Sequence, residues 1–340
     1  MPHQVTIKPS GHTFTVNDGE TVLAAALREG FVIAYSCRSG TCGTCKGKLV
    51  DGSVDYGTYQ EKAMTAAERQ AGMALFCQAK PLSDLVIECR EIGTAVKGIQ
   101  IKLMPARVMK LQRLAPDVML LELKLPANEK LAFLAGQYID LLLRDGTRRS
   151  LSMANAPHEE AFLQLHLRDY GGPFSRFVFD KMKEKDILRI EGPFGTFFLR
   201  EDSTKPVVLV ASGTGFAPIK AIVEHALHKG SKRPITLYWG CRVRSDLYFH
   251  ELAESWQREG RLRYVPVLSD ALPSDNWTGR TGFVHRAVME DFSDLSAHQV
   301  YACGAPVMVD AAHRDFTAQR GLPEDEFYSD SFTPAAPPPA

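Results

Sequence analysis

Four of the chain's seven cysteines fall in its first quarter, and three of them share one short loop. Cys37, Cys42 and Cys45 are separated by four and then two residues, and Cys77 follows further on. Four thiolates at this spacing can hold the two irons of a 2Fe–2S cluster. Two glycines lie between the first three ligands, where close backbone approach is easiest. A zinc site or unligated core thiols are the alternatives, although structural zinc usually uses paired short spacings.

Two segments have the form of turns that bind phosphate. GGPFS at residues 171–175 precedes a predicted helical run at 176–183, and the free N–H groups at such a helix start can cradle a phosphate. GTGFAP at 213–218 lies between a predicted strand at 207–210 and a predicted helix at 219–227, where a dinucleotide diphosphate would meet a helix start. As a lone feature, the first turn would be structural in most proteins. A lone glycine pair like that of the second turn is a weak signal, but its position between a strand and a helix favours a nucleotide site.

A third segment, CGAP at residues 303–306, follows a predicted strand at 299–302. It would lie at the carboxyl ends of the strands, which is the ligand-binding edge of an open α/β sheet. The alternative for Cys303 is a buried free cysteine in a packed core.

The elements that must position these segments fall into three parts. Residues 1–93 contain short strands that flank a helix, which suits a small α+β domain. Residues 101–204 contain short strands separated by turn residues, which favours an antiparallel β-barrel or sandwich. Residues 205–332 alternate strands with helices, which favours a parallel, Rossmann-like α/β domain. We expect a linker at 91–100 and a flexible tail at 333–340.

Composition narrows the class of protein. The 340 residues include 40 basic and 40 acidic side chains, so no net charge favours nucleic acid or an anionic membrane. The apolar runs are too short for a membrane span, and the first residues do not form a signal peptide. We therefore expect a cytoplasmic, multidomain protein that is neither a disulfide scaffold nor a membrane protein.

These segments carry a resemblance to known families. The loop at residues 35–45 (YSCRSGTCGTC) closely resembles that of plant-type ferredoxins, and residues 101–332 resemble the ferredoxin–NADP⁺ reductase superfamily. The whole chain resembles NADH-dependent oxygenase reductases. Through residues 148–157 (RRSLSMANAP) and 327–332 (FYSDSF) it also resembles the CDP-6-deoxy-Δ3,4-glucoseen reductase group. The resemblance implies a β-grasp ferredoxin domain, a barrel that binds FAD and a domain that binds NAD(P)H.

The resemblance also assigns residues to FAD. Arg149 matches the arginine that faces the diphosphate, and Ser152 matches a hydroxyl near flavin N5. Leu151 stands where the family usually has tyrosine, which puts the affinity and potential of the flavin in question. Gly172 and Ser175 match a second diphosphate motif. Without the resemblance, residues 148–152 would pass for an ordinary basic strand edge.

The resemblance also assigns residues to the nicotinamide nucleotide. Cys303 matches a cysteine near nicotinamide C4, so Ser152 and Cys303 are the expected catalytic residues. Arg242 could contact a 2′-phosphate or be a solvated surface arginine; NADH is favoured over NADPH because the resembling reductases mostly use it. Phe332 matches an aromatic residue that covers the flavin, although a loose apolar anchor is an alternative. The full set expected around the nucleotide and the flavin face is Gly213, Thr214, Gly215, Pro218, Arg242, Cys303, Gly304 and Phe332.

A nicotinamide releases two electrons as hydride, a 2Fe–2S cluster accepts one, and a flavin can exchange either number. The resemblance therefore implies an NAD(P)H-dependent reductase that passes electrons through FAD and the cluster to a partner protein. We expect an oxygenase or hydroxylase component as the acceptor, with Arg38, Ser39 and Thr41 at the docking surface. A CDP-deoxysugar dehydratase is the alternative acceptor. A non-catalytic redox sensor and a zinc-stabilised binding protein are alternatives of other classes.

Overall fold

The computed structural model describes residues 1–92, 98–143 and 146–332 of the chain. These residues divide into two units, Met1–Ile99 and Gln100–Ala340. Much of the predicted linker, residues 93–97, and the predicted tail at 333–340 lie outside the described residues. Glu91, at the start of that linker, still pairs with Ile33 in an antiparallel bridge. Within the described ranges, no helix is both long enough and apolar enough to cross a membrane.

The first unit is a five-stranded mixed sheet with one main helix. Its elements are β1 (His3–Lys8), β2 (Thr13–Val16), α1 (Val22–Arg28), β3 (Lys46–Asp51), β4 (Val54–Asp55), α2 (Ala66–Gln70), β5 (Met73–Leu75), β6 (Lys80–Pro81) and β7 (Leu85–Glu88). The sheet order is β2-β1-β7-β3-β5, and β1 pairs with β7 in parallel. The Thr21 hydroxyl caps α1 by accepting from the Ala24 N–H at 3.3 Å. The short strands that flank a helix, which the sequence predicts for residues 1–93, are confirmed in β1, β2 and α1.

The sequence also predicts a short helix over residues 66–74, and this range is too long. α2 ends at Gln70, and the last residues of the predicted range belong to β5, which pairs with β3. Ala74 and Leu75 are helix-compatible, but they are fully buried in the sheet. Pairing with a distant strand therefore overrides local helix propensity at this point.

The second unit begins with one antiparallel sheet and a short helix. Its elements are β8 (Lys102–Ala115), β9 (Val118–Lys124), β10 (Tyr138–Leu142), β11 (Arg148–Ser152), β12 (Leu163–Arg168), α3 (Pro173–Arg176) and β13 (Ile187–Phe194). The strand order is β11-β10-β13-β8-β9-β12. An antiparallel bridge between Met153 and Leu165 connects the two edges of this sheet. α3 continues into one π-helical turn at Phe177–Lys181.

The sequence predicts strands at 119–125, 138–143, 162–168 and 187–190, and the long strand β8 is absent from this set. Met104, Ala106 and Val108 alternate inward along it, as a half-buried strand requires. The Pro105 ring lies on the opposite, exposed face, and Pro105 precedes Arg107, the first residue of β8 that pairs with β9. This proline and the charged residues around it obscure the strand signal in the sequence.

The rest of the second unit is a parallel sheet between helices. Its elements are β14 (Val207–Ser212), α4 (Phe216–His228), β15 (Ile235–Cys241), α5 (His250–Arg258), β16 (Arg263–Leu268), β17 (Arg280–Thr281), α6 (Val284–Asp291), β18 (Gln299–Gly304), α7 (Pro306–Arg320) and β19 (Phe327–Ser331). The order is β17-β16-β15-β14-β18-β19, with every neighbouring pair parallel. The order therefore reverses between β14 and β18, which opens a crevice at their carboxyl ends.

Both faces of this parallel sheet are buried. Leu209 packs into one apolar core with residues of α4 and α5, such as Phe216 and Trp256. Val210, the next residue of β14, packs into the opposite core with residues of α6 and α7, such as Val288 and Phe316. The continuous apolar run of β14 is thus explained by burial on both sides.

Candidate functional site

The four predicted cluster ligands meet in the first unit. The loop between α1 and β3 carries three of them, and Cys77 lies in the turn after β5. The thiols of Cys37 and Cys42 are hydrogen-bonded to each other, as are those of Cys45 and Cys77. The contact with Cys42 lowers the pKa of Cys37 to about 4, and the same contact raises the pKa of Cys42, so the pair favours one thiolate, on Cys37.

This arrangement fits the donor set of a two-iron cluster. The thiols form two pairs, and a 2Fe–2S cluster takes four thiolates over two irons. Cys45 and Cys77 are buried, whereas Cys37 and Cys42 are partly exposed. One pair therefore lies closer to solvent than the other.

Gly40 allows the loop to close tightly. Its φ of +72° lies in the left-handed region, and a Cβ there would lie 2.7 Å from the Thr58 carbonyl oxygen. Any other residue would push this backbone contact apart. Cys89, which follows β7, stays outside the thiol pairs; burial raises its pKa to about 12, so it remains a neutral thiol.

The two segments expected to bind FAD lie side by side in the second unit. Arg149 lies on β11, and its guanidinium is 5.9 Å from the ring centre of Phe174 in α3. Gly172 is the N-cap of α3, so the N–H groups of the first turn follow it directly. The Ser175 hydroxyl contacts the Asp169 carboxylate at 2.5 Å. An arginine and a helix start thus face the same region, as a diphosphate requires.

The end of β11 leads towards the parallel sheet. Leu151 is half-buried against the core of the antiparallel sheet. Ser152 is buried, and its hydroxyl is 3.5 Å from an Asp330 carboxylate oxygen. Asp330 lies on β19 in register with Cys303 on β18. The two expected catalytic residues are therefore brought together around one aspartate.

The sequence did not identify Asp330 as a site residue. Its contact with Ser152 spans 178 positions, so no local pattern marks it. Burial, reinforced by the nearby Asp330 carboxylate, raises the pKa of Cys303 well above its usual range. Cys303 is consequently a neutral thiol at physiological pH. One signal in the sequence could have pointed to Asp330. It is the acidic residue of FYSDSF at 327–332, and this segment forms the strand beside the one that leads into CGAP.

The expected nucleotide loop lies at the crevice of the parallel sheet. Gly213, Thr214 and Gly215 form one 3-10 turn between β14 and α4, and Pro218 is buried in the first turn of α4. A Cβ on Gly215 would lie 2.2 Å from the Cys303 carbonyl oxygen. The loop therefore approaches the end of β18 so closely that only glycine fits.

Residues from neighbouring strands fix this loop. The Trp239 indole N–H of β15 donates to the Gly213 carbonyl at 3.0 Å, and its ring stacks on Phe216 at 3.9 Å. On the other side, the Ser212 hydroxyl accepts from the Ala305 N–H at 2.9 Å, just after Gly304. The geometry provides a rigid glycine turn at a helix start, which is the form of a dinucleotide diphosphate site.

Arg168 is a further cation at this loop that sequence analysis missed. It ends β12, and its Nη1 atom lies 3.1 Å from the position that a Cβ on Gly213 would take. It is largely buried and forms ion pairs with Asp117 at 3.4 Å and Asp246 at 3.6 Å. Its Nε and Nη2 atoms make no hydrogen bond to any described residue. The same two carboxylates that contact Arg242 therefore balance the charge of Arg168 beside this loop.

Arg242 is held by acidic partners that the sequence did not suggest. Its guanidinium lies 3.0 Å from Asp246 and 3.2 Å from Asp117. Hydrogen bonding to Asp246 raises the pKa of Arg242, so its charge is permanent but already balanced. Phe332, just past β19, donates its N–H to the Gly304 carbonyl at 2.8 Å and packs on the adjoining core.

Three family models match the chain. A 2Fe-2S iron-sulfur cluster binding domain matches residues 5–82, an oxidoreductase FAD-binding domain matches 105–199, and an oxidoreductase NAD-binding domain matches 209–314. The chain thus has a multidomain, ferredoxin-reductase-like architecture. The expected cofactors, a 2Fe–2S cluster, FAD and a nicotinamide dinucleotide, are confirmed at the level of these domains.

Relatives match the chain from end to end. The CDP-6-deoxy-L-threo-D-glycero-4-hexulose-3-dehydrase reductase of Yersinia pestis is 41% identical over 98% of this chain and 100% of its own length. The phenol hydroxylase P5 protein of Acinetobacter pittii is 36% identical over 99% of this chain and 96% of its own. The crystal structure of the Amycolatopsis cytochrome P450 reductase GcoB is 35% identical, covers 98% of this chain and 100% of its own, and has a TM-score of 0.80.

Proposed function

The chain belongs to the family of iron–sulfur flavoprotein reductases that includes these relatives, and we propose on that premise that it serves an oxygenase or hydroxylase component. It is an NAD(P)H-dependent oxidoreductase that passes electrons through FAD and a 2Fe–2S cluster to a partner protein. The relatives that support this choice include a phenol hydroxylase protein and a terephthalate 1,2-dioxygenase reductase component from Comamonas.

When bound, the cofactors would supply the redox chemistry, with the nicotinamide as a two-electron donor and the flavin as a group that can pass electrons on singly. The chain's own residues hold these groups. Cys37, Cys42, Cys45 and Cys77 are the proposed iron ligands. Arg149 would neutralise the FAD diphosphate together with the start of α3. This pairing of a glycine-capped helix start with an arginine is typical of diphosphate recognition.

The nucleotide is held at the crevice between β14 and β18. Gly213, Thr214 and Gly215 would offer backbone N–H groups to its diphosphate, with Arg168 beside them. Ser152 and Cys303 would line the place where hydride moves, and Asp330 would orient the serine hydroxyl. The juxtaposition of these groups from two sheets carries the proposal, because each sheet alone supplies only part of the site.

We infer that NADH is preferred over NADPH. Arg242 is the arginine that a 2′-phosphate would need, yet Asp117 and Asp246 both contact its guanidinium. A 2′-phosphate would have to approach these two carboxylates, which disfavours it through like-charge repulsion. The hydroxyls of an unphosphorylated ribose can instead donate to a carboxylate.

The fold and the bounds of each of the three domains are also our proposal. The mixed sheet and α1 of the first unit support a β-grasp domain over residues 1–93. The bridge between the edges of the antiparallel sheet supports an FAD-binding barrel over 101–204. The parallel order around β14 supports a Rossmann-like domain over 205–332. Seven free cysteines suit the reducing cytoplasm, where we place the protein.

A dehydratase that acts on a CDP-deoxysugar is the second candidate acceptor. The observation that favours it is the 41% identity to the Yersinia dehydrase reductase, against 36% to the phenol hydroxylase protein. Both acceptors would take single electrons from the cluster, so the residues of the site do not separate them.

The acceptor is tested by mixing the NADH-reduced protein anaerobically with purified components of each kind. We expect rapid reoxidation by an oxygenase or hydroxylase component and slow reoxidation by a CDP-hexulose dehydrase. The reverse order would assign the chain to the deoxysugar system. Turnover with ferricyanide provides the control, since a non-catalytic redox sensor would reduce neither a protein nor an artificial acceptor rapidly.

A further inference from the structure

Gln78 directly follows the last proposed cluster ligand and reaches back over the cysteine loop. Its side-chain Nε2 atom lies 3.2 Å from the Arg38 carbonyl oxygen and 3.1 Å from the Cys77 carbonyl oxygen. The same atom lies 3.8 Å from the Cys77 sulfur, within the range of an N–H···S contact. One amide thus contacts both the loop that carries three cysteines and the fourth cysteine.

Packing fixes Gln78 in this position. On one side, a Cβ on Gly40 would lie 3.0 Å from Gln78 Cγ. On the other, a Cβ on Gly57 would lie 2.8 Å from the Gln78 carbonyl oxygen and 3.3 Å from its Cβ. Both neighbours are glycines, so their backbones close around the half-buried glutamine. A side chain held on two sides keeps its amide directed at the same partners.

The two N–H bonds of the amide have distinct partners available. One can be donated to the Arg38 carbonyl, which ties down the loop that holds Cys37 and Cys42. The other is shared between the carbonyl and the sulfur of Cys77. A donor aimed at a ligand sulfur stabilises the more negative, reduced cluster and so raises its reduction potential.

We propose that Gln78 is a positioning residue that sets the reduction potential of the iron–sulfur cluster. The proposal rests on the cluster assignment made above. Reduction adds one electron, delivered from the flavin, and makes or breaks no bond at Gln78. The glutamine thereby biases how electrons divide between the flavin and the cluster, while leaving the nucleotide site unaltered.

The test is the substitution Gln78→Met, which keeps an unbranched side chain and removes the N–H donors. The matched control is Gln70→Met, at an exposed position at the end of α2. The cluster potential is measured on the full-length protein by a redox titration monitored by electron paramagnetic resonance. We expect Gln78→Met to lower the equilibrium constant for cluster reduction about tenfold, or about 59 mV for one electron.

The flavin potential in the same titration should stay unchanged in both variants, and Gln70→Met should match the parent throughout. An unchanged cluster potential in an iron-replete Gln78→Met protein would overturn the proposal. If that variant fails to load iron, Gln78→Glu keeps the length and replaces the donor by a carboxylate, which should lower the potential further. A Glu variant at or above the parent potential would also refute it. A parent protein without any cluster signal would instead refute the cluster assignment itself.

Discussion

At the scale of single residues, the chemistry depends on thiols and carboxylates in opposite environments. Cys37 has a partner that lowers its pKa to about 4, whereas burial raises the pKa of Cys303 far above its ordinary value. Cys37 therefore favours the thiolate form that our proposal assigns to iron binding, and Cys303 is kept as the neutral thiol that the proposal places beside the nicotinamide. The same side chain thus has two roles that its surroundings determine.

Replacing Cys77 by serine should abolish the iron–sulfur absorbance while the flavin is still reduced by NADH. The reason is that one of two thiol pairs is lost, whereas the flavin and nucleotide residues lie in the other unit. Cys89→Ser is the matched control and should retain the cluster. Stopped-flow spectra of both variants provide the check; a Cys77→Ser protein with a full cluster signal would contradict the ligand assignment.

Replacing Asp330 by asparagine should slow flavin reduction by NADH about tenfold, the effect of one weakened hydrogen bond to a charged group. The affinity for NADH should change little, because the diphosphate loop is untouched. Single-turnover reduction measured over a range of NADH concentrations separates the two effects. Asp310→Asn, at an exposed position on α7, is the control. A variant with a parent-like limiting rate would remove Asp330 from the site.

At the scale of elements, one face of β12 joins the two sheets of the second unit. Its inward residues, such as Leu165, fill the antiparallel core. Its other face carries His166, which contacts the Tyr248 hydroxyl at 3.1 Å, and Arg168, which pairs with Asp246. Alternation along a single strand therefore separates core packing from the contacts that position the nucleotide loop.

His166 should make the protein sensitive to acid. Burial lowers the pKa of His166 from 6.5 to about 3, so the folded protein binds fewer protons than the unfolded chain between these pH values. Stability should therefore decline as pH falls below about 6.5, by about 1.4 kcal/mol per pH unit. His166→Phe should flatten this decline, as measured by urea unfolding from pH 7.5 to pH 5. The control variant His313→Gln should keep the decline of the parent. Equal slopes of unfolding free energy against pH in the parent and both variants would refute this account.

The sequence predicted motifs that lie within short segments and missed contacts between residues that are far apart in the chain. The cysteine loop at residues 37–45 and the glycine loop at Gly213 are each encoded within a short segment, so spacing and residue type suffice to single them out as candidates. Asp330 and Asp117 act on residues over a hundred positions away, and only the fold brings them into contact. The strand β8 was missed because Pro105 interrupts a pattern that the sheet accommodates on its exposed face.

At the scale of the whole molecule, the chain carries its three matched domains in the order 2Fe-2S, FAD and NAD. Electrons pass through these cofactors in the reverse order. The nicotinamide and flavin sites share one unit, in which Ser152 and Cys303 converge on Asp330. The four proposed cluster ligands occupy the other unit. The central claim is that electrons enter at the nucleotide crevice and leave from the cluster.

An anaerobic titration of the purified protein with NADH, followed by visible absorbance and electron paramagnetic resonance, tests this claim most directly. Two electrons for FAD and one for the cluster should require about 1.5 NADH per chain. We expect the flavin to bleach and a reduced-cluster signal to appear together, with NADPH acting far more slowly. Saturation at one NADH without a cluster signal, or a colourless protein, would contradict the account.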